Sequence, residues 1–225
     1  MNINGLSKKE MEQRVKFHCK HGHNGFSHRL CYENTKGIKE RIGFLDIETS
    51  DLYATSGMIY CYCIKSNDGK LIKRTVTLKD LHKGDFDKNL LKQFIEDAKE
   101  FDRFVLHYGE NGRFDIPFLR TRAVKWGLDF PKYKTMYVSD TYPICKNQFR
   151  FKRNSLKMAC AFLGIPAKKH PLTPDTWCFS MITGNPKTMQ NALDLILLHN
   201  IEDVISTEKL WNKIYPYVSL GKKSI

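Results

Sequence analysis

No apolar run in this 225-residue sequence approaches the roughly 20 residues that a bilayer-crossing helix needs. Residues 1 to 14 are polar and lack the apolar core of a signal peptide, so we expect a cytoplasmic chain with no membrane partner. Internal repeats and low-complexity tracts are also missing, which argues against solenoids and disordered tails. Cysteine is present in an odd number, seven, in a chain too large to need disulfide staples, and we read these residues as reduced thiols apart from any that bind metal. Acidic residues are in deficit: 24 Asp and Glu stand against 37 Lys and Arg, a formal net charge of +13. A charge of that size attracts a polyanion at long range, although a basic chain that is merely soluble has the same balance.

What is present is the composition of an ordinary folded protein, 41% apolar and 12% aromatic. At this length one main domain with a small appendage is expected. Residues 1–40 stand apart as a small module, rich in His, Cys, Lys and Gly without sustained apolar periodicity. Beyond them, Arg41 to Glu48, Met58 to Ile64 and Lys70 to Thr77 have β patterning, and Ser66-Asn67-Asp68-Gly69 is a strong hairpin signal. Asp87 is positioned to cap a helix over Lys88 to Phe101, whose Leu90, Leu91, Phe94, Ile95, Ala98 and Phe101 share one face. A buried strand at Phe104 to Tyr108, a helix at Ile116 to Trp126 and a fifth strand at Lys134 to Val138 follow. A helix from Asn154 to a Gly164 stop and a long helical region from Lys187 to Tyr215, broken near Asn200, complete the pattern. This gives an α/β domain over residues 41–216, a mixed five-stranded sheet flanked by helices, with residues 217–225 as a basic tail.

Asp46 and Glu48 lie two apart at the end of an apolar strand, so both side chains leave one face of the sheet. Two adjacent anions repel, and a divalent cation with its preference for carboxylate oxygens would relieve them; a strand end emerging into solvent is the plain alternative. Asp115 lies just before a helix with Pro117 in its first turn, where capping alone explains many such residues. His199 and Asp203, four apart, share a helical face and by themselves make an ordinary surface pair.

In their order and contexts these four carboxylates resemble the DEDD superfamily of 3′→5′ exonucleases, which have an RNase H-like fold. The resemblance covers Ile42 to Tyr215 and rests on Phe44-Leu45-Asp46-Ile47-Glu48-Thr49, on Asn111 through Asp115 with Pro117-Phe118-Leu119 behind it, and on His199 to Asp203. Ser139-Asp140-Thr141-Tyr142, Ser155-Leu156, Leu163-Gly164-Ile165 and His199-Asn200 look most like predicted exonucleases of the RNase H superfamily in bacteria and their phages. One departure stands out. The histidine subgroup places its His five residues before the last Asp and the tyrosine subgroup its Tyr four before, whereas here His199 occupies the four-before slot.

The resemblance implies phosphodiester hydrolysis with two Mg²⁺ or Mn²⁺ ions about 3.5–4 Å apart, one activating a water and the other stabilising the leaving oxygen. It assigns Asp46 to both ions, Glu48 and Asp115 to their shells, and Asp203 to the ion that binds the water. His199 would orient that water or take its proton, a task suited to imidazole. The partner expected is nucleic acid, as single strands or 3′ ends, with DNA favoured. An RNA-directed or structure-specific nuclease using the same residues is the alternative, and a non-catalytic nucleic-acid-binding module is the other.

Two further clusters are notable. Six Cys or His residues fall between His18 and Cys31, and Cys19, His21, His28 and Cys31 supply two sulfur and two nitrogen donors, enough for a closed tetrahedral zinc site. A flexible His-rich arm or a loop contacting nucleic acid fits the same composition. Lys146, Phe149, Arg150, Lys152 and Arg153 interleave cations with aromatics, as a single-strand groove would, and with Asn111 they are the candidate nucleic-acid contacts. Phe149 and Phe151 fit core positions between solvated charges equally well.

Overall fold

The structure is a computed structural model. It describes all residues except 1–6, 20–21, 28, 38–39, 110–113, 133–134, 136, 167–169, 171, 174, 178–182 and 219–225. The chain divides into two compact units, Met1–Arg41 and Ile42–Ile225.

The first unit holds α1 (Lys8–Lys16) and α2 (Arg29–Thr35). Ser7 caps α1 by accepting from the Glu10 N–H. The interior is polar: Arg14 is buried, donates to Glu33 at 3.1 Å and to the Gly25 carbonyl at 3.4 Å, and lies 4.6 Å from the centre of the Tyr32 ring. Gly25 is needed for this approach, because a Cβ there would lie 2.9 Å from the Arg14 backbone.

The second unit is built on a five-stranded sheet in the order β3-β2-β1-β4-β5. Its strands are β1 (Ile42–Thr49), β2 (Ile59–Ser66), β3 (Leu71–Thr75), β4 (Arg103–Leu106) and β5 (Tyr137–Asp140). The first three form an antiparallel meander, and β4 and β5 run parallel to β1. The predicted hairpin is present, with Gly69 at φ +99° closing the turn between β2 and β3. The helices are α3 (Leu78–Lys83), α4 (Lys88–Asp97), α5 (Asp115–Lys125), α6 (Thr141–Gln148), α7 (Leu156–Phe162) and α8 (Pro186–Ile214). Alternation along β1 sends Leu45 and Ile47 into the main core with Leu91, Phe94 and Leu119, while Phe44 joins Cys63, Val204 and Trp211 beneath α8. No helix among the described residues is long and apolar enough to cross a membrane.

Several sequence expectations are corrected. The fifth strand, expected over Lys134 to Val138, is Tyr137–Asp140 among the described residues, with Thr135 outside it and Lys134 outside the described residues. Its polar end is disguised, because Ser139 accepts from the buried Arg103 guanidinium and Asp140 from the Tyr108 N–H. Asp87 makes no side-chain cap on α4; fully buried, it accepts from Arg122, from the Trp126 indole and from the Ile59 N–H. The cap of α7 is Ser155, while the Asn154 carbonyl is 3.0 Å from His107 Nε2. α8 continues through Asn200 without a break, since the amide there is turned to Asp46 and does not compete for the helix backbone.

Candidate active site

Strands β1, β4 and β5 are parallel, so their carboxyl ends open on one edge of the sheet, the usual place for a site in an α/β fold. Asp46 and Glu48 occupy the end of β1, His107 and Tyr108 follow β4, and Asp140 ends β5. Pairing of β1 with β4 stops at Phe44 and Val105, and β1 continues with β2 as its only partner strand among the described residues. The N–H of Ile47 beyond that point is taken by Asp115 Oδ1 at 3.2 Å, which ties the first turn of α5 to the strand. The register shifts between Glu48 and Thr49, which pair with Cys61 and Ile59, so that Tyr60 is the extra residue on β2 beside the site. Across the same face runs α8, which brings in His199, Asn200 and Asp203.

These elements enclose a cavity of about 250 Å³ lined by Asp46, Ile47, Glu48, His107, Tyr108, Phe114, Asp115, His199 and Asp203. All five residues assigned catalytic roles from the sequence therefore share one cavity. Ligand atoms of Glu48, His199 and Asp203 lie within 4.8 Å of one another. His199 Nε2 is 3.3 Å from Asp203 Oδ2 and 3.9 Å from Glu48 Oε1. His199 Nδ1 is 2.6 Å from the His170 carbonyl, which only accepts, so the proton belongs on Nδ1 and Nε2 is the nitrogen that faces the carboxylates. His170 is itself held by Glu202, through its ring and its backbone N–H.

Asp115 is the most deeply buried of the four carboxylates. Burial pushes its carboxyl up to about 7; hydrogen bonds from the N–H groups of Ile47 and Asp115 itself oppose this, and the charges of Asp140 and Asp203 add to it. A carboxyl so placed is a strained anion unless a cation shares the cavity, and hard oxygen donors beside one imidazole suit a divalent metal.

Sequence reasoning missed the supports of this arrangement. A Cβ on Gly109 would meet Asp115 Oδ2 at 2.1 Å, so only glycine lets the carboxylate occupy its place. Tyr108 sits at φ +70°, a strained conformation for an aromatic residue, with its N–H on Asp140 Oδ1 at 2.8 Å and its ring packed edgewise with Tyr142. His107 is bracketed by Thr141 Oγ1 and the Asn154 carbonyl. The Gly between a buried strand and Asp115 was the available signal for the first of these; nothing local announces the second.

The remaining candidates are spread more widely. Asn111 lies outside the described residues, as do His21 and His28, while Cys19 and Cys31 are half-buried thiols of the first unit. Phe149 is not a free stacking platform: it stacks on Phe151 at 5.6 Å, and both pack with Leu210 and Ile214 in a second apolar cluster. Lys146, Arg150, Lys152 and Arg153 are exposed. The other described cysteines are buried, and desolvation raises the Cys145 thiol to about 11, keeping it protonated.

A family model described as the RNase H superfamily matches residues 43–215, nearly all of the second unit. The chain belongs to the RNase H superfamily. Among curated proteins none matches it. Among solved structures, the family B DNA polymerase of the hyperthermophilic archaeon Pyrobaculum calidifontis is similar, at 20% identity and a TM-score of 0.62, over 80% of this chain and 25% of the polymerase chain. The present chain thus spans about a quarter of that polymerase's length, and at this identity the likeness speaks to fold. RNase H-like nucleases use divalent metals, and the acidic cavity lies within the matched residues.

Proposed function

We propose that the second unit is a metal-dependent 3′→5′ exonuclease that hydrolyses phosphodiester bonds of nucleic acid, with DNA as the first candidate substrate. The observation that carries this reading is the convergence of Asp46, Glu48, Asp115, His199 and Asp203 in one cavity of an RNase H superfamily fold. Asp46, Glu48, Asp115 and Asp203 would hold two Mg²⁺ or Mn²⁺ ions, which when bound supply charge neutralisation and water activation. The chain does the rest. Asp115, fixed by Ile47 and by the bare Cα of Gly109, sets the depth of the cavity. His199, with Nδ1 committed to the His170 carbonyl, can receive a proton at Nε2 beside Asp203. The exposed cations of residues 146–153 precede Asn154, whose carbonyl meets the cavity-lining His107, and they would draw a polyanion toward that rim.

The test is incubation of 5′-labelled single- and double-stranded DNA and RNA with the protein, with and without Mg²⁺ or Mn²⁺. A metal-dependent ladder shortening from the 3′ end is expected, fastest on DNA. Cleavage of a closed single-stranded circle would assign an endonuclease instead, and RNA-only cleavage would reassign the substrate.

For the first unit we propose a structural zinc held by Cys19, His21, His28 and Cys31. Supporting it, the Gly22 N–H donates to the Cys19 carbonyl and the Cys19 N–H to that of His23, and Cys31 falls in the first turn of α2. A unit of this size that buries little apolar surface needs a cross-link of some kind to hold together.

A further inference from the structure

Asn200 is fully buried on α8, between His199 and Asp203 in sequence. Ile196 and Val204, one turn before and one turn after it, are both fully buried aliphatic residues. By the logic of folding this position calls for a leucine. Instead its amide donates from Nδ2 to Asp46 Oδ2 at 2.6 Å. An ionised carboxylate only accepts, so the amide has to turn its NH₂ group toward Asp46. The consequence is that Oδ1 points into the interior, where among the described residues it accepts no hydrogen bond. A buried amide oxygen left unpaired works against folding, and an aliphatic side chain of similar volume would carry no such penalty.

We infer that Asn200 is a positioning residue for Asp46, kept at a cost to the fold because it pins one carboxylate oxygen and thereby fixes the side chain's orientation in the cavity. A neutral amide suits the task better than Lys or Arg, which would neutralise the carboxylate and compete with a cation for it. This inference rests on the reading of the cavity as a metal-dependent nuclease site.

The experiment compares the parent protein with Asn200→Leu and Asn200→Ala. Denaturant unfolding without metal, Mn²⁺ binding and DNA hydrolysis are measured on each. Asn200→Leu should be as stable as the parent or more so, and Asn200→Ala less stable because it leaves a cavity. Despite that split, both should bind Mn²⁺ about 10–100-fold more weakly, with kcat falling and KM for the DNA end unchanged. Parent-like Mn²⁺ affinity in both folded variants would overturn the inference, as would a destabilised Asn200→Leu that keeps its affinity, the mark of a purely structural amide. A parent protein that binds Mn²⁺ but hydrolyses no nucleic acid sinks the nuclease reading instead, and the Mn²⁺ comparison still decides the role of Asn200.

Discussion

Among its described residues the amino-terminal unit buries Arg14 and Glu33 beside the Tyr32 ring, whereas the superfamily unit buries a sheet-wide apolar core from Leu45 to Ile196. The difference shows in where each can place its charges. Behind the large core, the carboxyl ends of three parallel strands can hold several carboxylates in one cavity, because packing elsewhere offsets their repulsion and desolvation. The small unit has no such reserve. Its ion pair is already part of its interior, so anything further that orders it has to come from a bond of another kind. The second unit thus has room for charges gathered in a cavity as well as for a buried ion pair, whereas the described charges at the centre of the first unit are paired within its interior.

The sharpest way to break this comparison is to remove the carboxylates. Asp46→Ala, Asp115→Ala and Asp203→Ala should each slow metal-dependent hydrolysis by about 10³-fold or more, a loss of several kcal/mol of transition-state stabilisation, with the fold retained. His199→Ala should slow it by about 10²–10⁴-fold while leaving Mn²⁺ binding nearly unchanged. Any of these variants that turned over normally would return its residue to an ordinary capping or surface role.

Stability should respond to a different acid in the same unit. Asp87 is fully buried against Arg122, with Oδ2 2.7 Å from Nε and Oδ1 2.8 Å from Nη2, and it also ties Trp126 and β2 to α4. Asp87→Ala strands the Arg122 charge in the core and should cost about 3–5 kcal/mol in denaturant unfolding. A loss below about 1 kcal/mol would mean that the guanidinium finds water or another acceptor.

In the first unit the corresponding change is loss of metal. Protein purified without chelator should contain about one zinc per chain by elemental analysis, and Cys19→Ser with Cys31→Ser should remove it. Limited proteolysis should then cut within residues 1–41 and spare the second unit. Absence of zinc in the parent would overturn the zinc site and leave Arg14, Glu33 and Tyr32 as the large buried side chains described in that unit.

How much of this was legible follows the same division. The order of strands and helices was readable because β1, β2 and α4 bury continuous apolar patterns, and the carboxylates were readable because strand end, helix start and helix middle each left a short motif. Contacts between distant segments were not. Asp87 looked like a helix cap because its partners, Arg122 and Trp126, lie more than thirty residues away. The strand through Ser139 and Asp140 looked polar because its partners are Arg103 and the Tyr108 backbone. Asn200 looked like a helix breaker because the residue that employs it, Asp46, is at the other end of the sequence.

The smallest expected effect concerns the proton on Asp115. Its carboxyl is raised from 3.8 to about 7, first by burial. Between these values the folded, metal-free protein keeps a proton that the unfolded chain has released, so the stability due to this group is greatest at the acid end and declines as pH rises toward 7. Binding of a divalent ion requires the ionised form and should release that proton, weakening apparent affinity as pH falls below 7. Asp115→Asn removes the titration but keeps the shape, although its amide replaces one oxygen near the Ile47 N–H. Unfolding of metal-free parent and variant at about pH 5.5 and about pH 8 should show a smaller decline across this interval for Asp115→Asn, and at about pH 8 the variant should be the more stable protein. The difference in slope reports Asp115 together with the acids whose charges it feels, Asp140 and Asp203. Equal slopes would mean that Asp115 is ionised throughout this range even without metal, and that the negative charge is stabilised by the protein alone.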